Sequence, residues 1–470
     1  MVKTKRGLFL FHRDFRIEDN TGLNKALEMS EELYTCFIFT PEQVGPSNTY
    51  KSNNAVQFMI DSLADLNISI KSKGGELMCF YGHQVAVLKS IVQALDIDAI
   101  YFNRDYTPYA IKRDKETMQW CKEMNIFCQS YSDYYLYEPG TVLSDASKTA
   151  YKKYTPFYNK VINIDVREPM IKRTYRLVKY TGSRLDDLIT LPEAMYKFVK
   201  INSNILVNGG RKHGKLLLAF ALRDQKNYDE TRDFFTKQTT HLSAYIKFGC
   251  ISIREVYHTI KRKFGLKHGI IRELIWREFF AHVLFAYPEV VGRSYQPNFR
   301  NIDWNRNKSH VEQWQTGQTG FPLVDACMRE MNTTGYMHNR GRMTTASFLI
   351  KTLLIDWRVG EQYFAQQLTD YDIASNNGNW QGISGTGVDM KPYFRDMNPW
   401  IQSYKFDINA EYIKKWVPEL SYVAPADIHK WHTACDNPKY KDIQYPKPMV
   451  DYDDQKIQML AMYRRAISHN

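Results

Sequence analysis

The first 130 residues alternate short apolar runs with segments of helical periodicity, and this pattern constrains the fold more than any other feature. Five runs rich in β-branched and aromatic residues are predicted to be buried strands: 7–11, 33–39, 76–81, 99–102 and 126–131. Between them, residues 54–66 and 84–95 carry apolar side chains at helical spacing. Strands that alternate with helices favour a doubly wound parallel sheet, so we predict an α/β domain over residues 1–131.

Beyond this domain the pattern changes twice. Residues 132–215 have no clear period and contain several prolines and the pair Gly209-Gly210, which predicts a long connector. From residue 216 onward helical periodicity dominates, and we predict an all-helical domain over residues 216–470. The predicted fold class is therefore α/β plus all-α.

The sequence lacks the motifs of several classes of protein. No GxGxxG or GxxxxGK[ST] motif follows the first predicted strand, so neither a dinucleotide-binding fingerprint nor a P-loop is present. The seven cysteines form no CxxC pair, so a zinc site is not favoured. No secretory signal or membrane-length apolar run is visible. We therefore expect a soluble, intracellular, monomeric protein with no metal site and no membrane contact; nucleus and cytoplasm both remain open.

The charge balance points to a phosphate-rich partner. The chain has 63 Lys and Arg residues against 51 Asp and Glu residues, a formal net charge of +12. Such an excess is typical of proteins that bind nucleic acid, although many lysine-rich proteins are basic for other reasons.

Two predicted helices place polar and aromatic groups on one face. The i, i+3, i+4 pattern occurs in both: Glu273, Trp276 and Arg277, and Asn339, Arg342 and Met343. Such a helix face is too polar to pack well in a hydrophobic core. It suits a cavity for a flat heterocycle, because it combines carboxylate, indole, guanidinium, carboxamide and thioether groups. Ordinary amphipathic helices remain the alternative for either segment alone.

Two further segments offer ligand-binding groups. Residues 370–380 mix carboxylates, carboxamides, glycine and tryptophan, and we expect a ligand-binding loop there. Since no histidine lies at ligand spacing, hydrogen bonding or ion pairing by Asp370 and Asp372 is favoured over metal binding. Residues 239–243 open a helical segment, where hydroxyls and backbone amides suit either a phosphate or a simple N-cap.

Together with residues 319–326, 355–360 and 385–395, these segments resemble the photolyase/cryptochrome family in order and spacing. The resemblance covers nearly the whole chain and is greatest to class I cyclobutane pyrimidine dimer photolyases. It implies an N-terminal antenna domain, a connector, and a helical domain that binds FAD in a folded form. It also implies light-dependent repair of UV-damaged DNA.

The resemblance assigns cofactor roles residue by residue. The matching FAD-binding positions are Tyr228, Thr239, Thr240, His241, Leu242, Ser243, Ile270, Arg277, Arg342, Asp370, Tyr371, Asp372 and Asn376. His241 stands where an arginine is often found, and Asn376 matches the position that faces flavin N5. Plant-type photoreceptors carry an acid at that position, so the asparagine favours repair. Trp304, Trp357 and Trp380 match the electron-transfer chain that leads from the flavin to the surface.

The resemblance also assigns substrate roles. The matching catalytic positions are Glu273, Trp276, Asn339, Met343 and Asn376, and the matching DNA-binding positions are Arg232, Glu273, Trp276, Arg277, Phe280, Asn339, Arg340 and Arg395. In this assignment Glu273 forms a hydrogen bond with the edge of a pyrimidine, and Trp276 stacks on the dimer. Many class I members have a second tryptophan where this chain has Gly382. Stacking on one base contributes about 1–3 kcal/mol, so dimer affinity is expected to differ.

The implied mechanism needs no protein nucleophile. Reduced FAD (FADH⁻) absorbs near-UV or blue light and donates an electron to the dimer, the two cyclobutane bonds open, and the electron returns. A (6-4) photolyase is one alternative, but such enzymes place a catalytic histidine in the segment that reads Asn-Arg-Gly-Arg-Met at 339–343. A cryptochrome photoreceptor is the other, and these usually carry a long polar tail after a helix like that predicted at 455–467.

A second, antenna chromophore is implied without its identity. Family members that bind folate carry an Asn-Glu pair at the positions of Tyr109 and Ala110, so folate is not favoured. A deazaflavin, another flavin or an empty site all remain open.

Overall fold

The structure is a computed structural model that describes residues 4–172, 174–183, 185–389 and 392–468. Residues 390 and 391 of the 385–395 segment, and the outer ends of the first and last predicted domains, lie outside this range. Within it, no helix combines the length and the apolar character needed to cross a membrane.

The N-terminal domain contains the predicted parallel sheet. Its strands are β1 (Thr4–Phe11), β2 (Ser30–Phe39), β3 (Leu77–Tyr81), β4 (Ala99–Asn103) and β5 (Phe127–Tyr131). The strand order is β3-β2-β1-β4-β5, and every neighbouring pair is parallel. Residues 8–11 of β1 are fully buried, as expected for a central parallel strand. The predicted doubly wound sheet is confirmed.

Helices cover both faces of this sheet. They are α1 (Thr21–Met29), α2 (Pro41–Val44), α3 (Asn53–Lys71), α4 (Gln84–Leu95) and α5 (Pro108–Glu123). α3 and α4 contain the two helical segments predicted from sequence. Their starts follow local capping rules, since the Ser52 side chain accepts from the backbone N–H of Ala55 at the start of α3.

The connector contacts both domains. It contains α6 (Tyr154–Val161) and α7 (Leu191–Phe198), and α8 (Arg211–Asp224) spans the predicted boundary between residues 215 and 216. The backbone N–H of Val178 donates to Leu33 in β2.

A buried ionic network holds the N-terminal domain to the helical part. Arg254 lies 2.8 Å from Asp19 and 2.7 Å from Asp133, which also pairs with Arg16 at 2.6 Å.

The C-terminal domain is helical, as predicted. Its helices are α9 (Tyr228–Thr231), α10 (Ser243–Lys247), α11 (Ile253–Phe264), α12 (Gly269–Ala286), α13 (Lys308–Thr316), α14 (Pro322–Thr334), α15 (Asn339–Ser347), α16 (Trp357–Gln367), α17 (Ile373–Ser384), α18 (Pro399–Phe406), α19 (Glu411–Trp416), α20 (Pro425–Ile428), α21 (Trp431–Ala434) and α22 (Tyr452–Ser468). Short 3₁₀ turns lie at Pro288–Val290, Pro297–Phe299, Pro418–Leu420 and Pro438–Tyr440, and a π-helical turn at Phe348–Thr352 follows α15.

One local expectation is wrong. Residues 373–384 form helix α17, where we expected a loop. The Asp372 side chain caps this helix by accepting from the backbone N–H of Ser375, and Phe280 of α12 packs against Gly378, where a Cβ would lie 2.2 Å from its ring. Packing against α12 therefore stabilises a helix that has no apolar periodicity of its own.

Candidate functional site

An inner cluster of charged and amide side chains lies where α15 and α17 meet. We use this name for Arg342, Asp370, Asp372 and Asn376. Arg342 donates from Nη2 to Oδ2 of Asp370 at 3.0 Å and from Nε to the backbone oxygen of Met337 at 2.9 Å. Burial acts to raise the pKa of Asp370, but the adjacent Arg342, with Ser243 and Lys247, outweighs burial and holds the pKa below its usual value. Asp370 is therefore a fixed negative charge.

Asp372 joins the inner cluster to the N-terminal domain. Arg13, which follows β1, donates to Asp372 at 3.1 Å, to Asp105 at 2.7 Å and to the Tyr135 hydroxyl at 3.0 Å. Only 12% of each side chain in the Arg13–Asp372 pair is exposed. Sequence analysis missed Arg13, whose one signal is its place at the carboxyl end of a predicted strand.

Asn376 is oriented by a buried glutamate on α16. Its Nδ2 donates to the backbone oxygen of Glu361 at 3.1 Å and to the Glu361 carboxylate at 2.9 Å. Because Nδ2 is committed to these two bonds, Oδ1 is the atom that remains to accept a hydrogen bond from a ligand.

The predicted phosphate segment turns sharply before α10. His241 has a φ of +51°, in the left-handed region. Its ring meets that of Tyr336 edge-on at 4.8 Å, and the Tyr336 hydroxyl lies 3.2 Å from Oγ1 of Thr239. Tyr336 also lies under the Arg342 guanidinium at 5.6 Å. Tyr336 thus joins this segment to the inner cluster, and sequence analysis missed it.

The other predicted cofactor residues surround these groups. Leu242 and Ile270 are buried, and Oγ1 of Thr240 accepts from the backbone N–H of Leu242 at 3.4 Å. Ser243 is exposed at the start of α10, and its hydroxyl also helps to lower the pKa of Asp370. Tyr371 is half-buried.

Lys247 is a further cation that sequence analysis missed. Burial lowers its pKa to about 8, while Asp372 and Asp370 act in the opposite direction. It brings a titratable positive charge to the inner cluster from α10.

The buried polar atoms of this region fit FAD. Oδ1 of Asp370 and Nδ1 of His241 are buried and make no hydrogen bond within the described part of the chain. Buried polar atoms nearly always have partners, so these two indicate a group that the protein binds. An acceptor beside Arg342 suits the N–H and hydroxyl donors of FAD, and the hydroxyls of residues 239–243 suit its diphosphate.

An outer rim lies on α12 and on α15, the helix that also carries Arg342 of the inner cluster. We use this name for Glu273, Trp276, Asn339 and Met343. Glu273 forms an ion pair with Arg232, and both side chains are about one-third exposed, 38% and 35%. Burial raises the pKa of Glu273 above its usual value despite the opposing effect of Arg232.

Aromatic rings surround Trp276. Tyr154 of the connector stacks on it with ring centroids 3.6 Å apart and planes at 4°. Phe280 lies at 5.5 Å and 28°, one helical turn further along α12. At Gly382 on α17 a Cβ would meet no atom within 4 Å, so this position opens onto free space.

On α15, Asn339 and Met343 lie one turn apart, with Nδ2 and Sδ separated by 3.8 Å. Arg340 forms an ion pair with Asp233, and its guanidinium lies 4.4 Å from the Phe406 ring.

The remaining predicted DNA-contact and cofactor residues have different surroundings. Arg277 donates to the backbone oxygen of Tyr134 at 2.9 Å and lies over the Tyr135 ring at 4.4 Å, so it contacts the connector. The Cζ atom of Arg232 lies 5.9 Å from the centroid of the Tyr228 ring. Arg395 is exposed.

The three predicted electron-transfer tryptophans lie on successive contacting segments. Trp380 of α17 packs against Gly360 of α16, where a Cβ would lie 2.1 Å from its ring. Trp357 begins α16 and is buried. The backbone N–H of Asn305, next to the half-buried Trp304, donates to the Leu354 carbonyl at 2.8 Å.

Two family descriptions match the chain. "DNA photolyase" matches residues 7–170, and "FAD binding domain of DNA photolyase" matches residues 270–465. The second match includes the helices that carry the inner cluster and the outer rim.

The similarity to individual proteins extends over nearly the whole length. A deoxyribodipyrimidine photo-lyase from Alkalihalophilus pseudofirmus is 34% identical in an alignment of 472 positions that covers 97% of each chain. A solved photolyase from Sulfolobus tokodaii, described with two FAD molecules, is 39% identical with a TM-score of 0.85 and covers 98% of this chain and 100% of its own. A class III photolyase from Agrobacterium tumefaciens has a TM-score of 0.91 at 30% identity and covers 100% and 99%.

Proposed function

Because the chain belongs to the DNA photolyase family, we propose that it repairs cyclobutane pyrimidine dimers in UV-damaged DNA by light-driven electron transfer from reduced FAD. The predicted enzyme class, deoxyribodipyrimidine photo-lyase, and the predicted cofactor FAD are confirmed by the family matches and the relatives. The dimer substrate, the light-driven mechanism and the residue roles belong to the proposal.

One observation carries the proposal: the inner cluster and the outer rim meet on α15, which bears Arg342 of the cluster beside Asn339 and Met343 of the rim. On α12, Arg277 follows Trp276 of the rim, and its charge helps Arg13 to lower the pKa of Asp372 in the inner cluster against the effect of burial. A cofactor held by the inner cluster would therefore lie next to whatever the rim binds. Electron transfer without a protein nucleophile needs this proximity.

The rim residues suit a flat, apolar substrate with carbonyl edges. Trp276 offers stacking area, and Met343 offers a flexible apolar surface. Glu273, which pairs with Arg232, offers a polar group for a hydrogen bond at a pyrimidine edge. Photolyases are among the enzymes that take the target base out of the helix, and such extrusion would bring the dimer to the rim.

When bound, reduced FAD supplies the electron that opens the cyclobutane ring after it absorbs light. The protein's part is to hold and orient the two partners: Arg342 and Asp370 fix the inner side, and Asn376 presents Oδ1 as an acceptor. The half-exposed rim admits the substrate from outside.

The direct test is a repair assay. UV-irradiated oligothymidylate is mixed with reduced enzyme and illuminated, and the loss of dimers is followed by chromatography against a dark control. We expect dimers to disappear only under light. Persistence of dimers with loss of (6-4) products would make the enzyme a (6-4) photolyase, and persistence of both would favour a photoreceptor.

The tryptophan chain has a separate test. We propose that Trp304, Trp357 and Trp380 deliver electrons to oxidised FAD. Trp357→Phe should slow photoreduction of the oxidised flavin at least ten-fold, whereas repair by chemically reduced enzyme should not change. Trp431→Phe, which alters another buried tryptophan, is the matched control. Equal photoreduction in both variants would refute this route.

We also propose that the protein acts as a monomer, which light scattering would test. A second chromophore in the N-terminal domain stays a prediction without an identity. An absorption spectrum of the purified protein, with bands beyond those of FAD, would reveal it.

A further inference from the structure

We propose that Tyr154, at the start of connector helix α6, is a positioning residue of the substrate pocket. In this inference its ring covers one face of Trp276 and fixes the indole, so that the remaining indole surface is presented to the pyrimidine dimer. The inference rests on the proposed function, which gives Trp276 its role at the rim.

The first observation is the geometry of the stack. The Tyr154 and Trp276 centroids are 3.6 Å apart at 4°, the shortest centroid separation among the ring pairs in the described part of the chain. Isolated aromatic pairs prefer offset or edge-on arrangements with centroids 4.5–7 Å apart. Close face-to-face stacking therefore indicates that the surroundings hold both rings in place.

The second observation is the tether on Tyr154. Its hydroxyl donates to the backbone oxygen of Arg272 at 3.0 Å, one helical turn before Trp276 on α12. Its backbone N–H donates to the Asp389 carboxylate at 2.8 Å, in the segment after α17. Tyr154 thus ties the connector to α12 and to the segment that follows α17.

The third observation is the place of this stack relative to the rim. Burial raises the pKa of the Tyr154 hydroxyl, and Glu273 is the next cause, so the phenol lies close to the rim carboxyl. At Gly382 of α17 a Cβ would meet no atom within 4 Å, so α17 places no side chain at this position. The ring that stacks on Trp276 comes from the connector.

These observations give Tyr154 a thermodynamic role in binding. Trp276 is partly buried, and without Tyr154 its indole would sample more rotamers, which a dimer would have to order on binding. Ordering one such side chain costs about 0.5–1.5 kcal/mol, which is up to about ten-fold in affinity. Tyr154 removes most of this cost before the substrate arrives.

The experiment compares Tyr154→Ala and Tyr154→Phe with the unaltered enzyme in its FAD-loaded form. Dissociation constants are measured for an oligonucleotide with one thymine dimer and for the same strand undamaged. Repair per absorbed photon is measured at saturating substrate. Tyr175→Ala is the matched control, because Tyr175 is a connector tyrosine whose ring lies over Lys73, away from α12.

We expect Tyr154→Ala to bind dimer DNA up to about ten-fold more weakly, with undamaged-DNA affinity, flavin content and saturated repair yield within two-fold of the parent. Tyr154→Phe, which keeps the stack, should restore dimer affinity, and Tyr175→Ala should not alter it.

Three results would overturn the inference: unchanged dimer affinity in Tyr154→Ala, parallel loss of undamaged-DNA affinity or flavin, or failure of the phenylalanine to rescue. If the parent enzyme itself repairs no dimers, the proposed function fails instead, and the two failures are thereby distinguished.

Discussion

The inner cluster and the outer rim each contain a carboxylate paired with an arginine, yet the two pairs differ in electrostatic state. Asp370 is 8% exposed and its pKa is lowered, whereas Glu273 is 38% exposed and its pKa is raised. Burial acts to raise the pKa of both carboxyl groups. Arg342, Ser243 and Lys247 together outweigh burial at Asp370, but at Glu273 burial outweighs Arg232 and Arg272.

The difference suits a site that holds two ligands. A cluster whose charges are fixed before the ligand arrives suits a cofactor that stays bound. A carboxyl that is about one-third exposed suits a substrate that enters and leaves. The predictions below test whether the two regions are separable.

The largest expected effect comes from breaking the inner pair. Asp370→Asn would leave the Arg342 guanidinium, which is 26% exposed, without its carboxylate. Loss of one partner from a buried pair costs about 3–5 kcal/mol, and we expect the lower end of that range together with loss of flavin during purification. The ratio of flavin to protein absorbance and urea unfolding measure the two effects.

Asp356→Asn is the control for this change, since its partner Arg358 is 51% exposed and asparagine can still cap α16. It should cost less than about 1 kcal/mol. If Asp370→Asn retains its flavin and is as stable as the Asp356→Asn control, the inner pair does not differ from an exposed pair in the way we propose.

Glu278 allows a second comparison of an exposed and a buried carboxyl, because it lies on the same helix as Glu273 but is fully buried. Burial raises its pKa to about 7, against the smaller effects of Arg277 and of the backbone N–H of Tyr137, which donates at 3.1 Å. The folded protein therefore binds this proton more tightly than the unfolded chain, whose glutamates titrate near about 4.3. The resulting stability is complete below about pH 4.3 and is lost as the pH rises to about 7.

In Glu278→Gln this dependence disappears. The stability of the variant relative to the parent should rise by about 2–3 kcal/mol between about pH 4.5 and pH 8, measured by urea unfolding at each pH. Exposed Glu116→Gln is the matched control. A difference that is flat with pH would show that Glu278 does not carry a raised pKa.

The fold was predictable wherever burial dictated composition. Residues 8–11 of β1 are buried on both faces, so their apolar run identified a central strand directly. α17 was missed because Asn376, Gly378 and Gln381 give it no apolar stripe, and its stability comes from a cap and from packing against α12 and α16. Local sequence cannot contain that tertiary contribution.

The site residues also fall into those that the sequence predicted and those that it missed. The inner-cluster residues were assigned through the resemblance, and the structure brings Arg342 to Asp370 as expected. Arg13 and Tyr154 were missed because each acts on a residue of another domain, and no periodicity links Arg13 to Asp372 across 359 positions. Such partners follow only from the three-dimensional packing of the connector and the two domains.

Gly382→Trp tests the rim alone. Since a Cβ there meets no atom within 4 Å, the indole has room to enter the space beside the rim. A second stacking surface should tighten dimer binding about ten-fold, the lower end of 1–3 kcal/mol per stacked base, without altering flavin content. Gly382→Ala, which adds no ring, is the control in the same binding assay. Equal affinities of the two variants would show that position 382 lies outside the substrate pocket.

The smallest effect is expected where the protein contacts DNA without reading the lesion. Arg395 is exposed, and its backbone oxygen accepts from Lys351 beside a cavity of about 330 Å³ that Ile383, the neighbour of Gly382, also lines. One lost phosphate contact reduces the slope of log affinity against log salt by about 1, so Arg395→Ala should weaken dimer and undamaged DNA alike by a few-fold at low salt. Lys115→Ala, an exposed cation on α5, should leave the slope unchanged. If Arg395 contacts a phosphate, as we predict, its loss leaves the ratio of damaged to undamaged affinity constant. A fall in that ratio would instead place Arg395 among the residues that recognise the substrate.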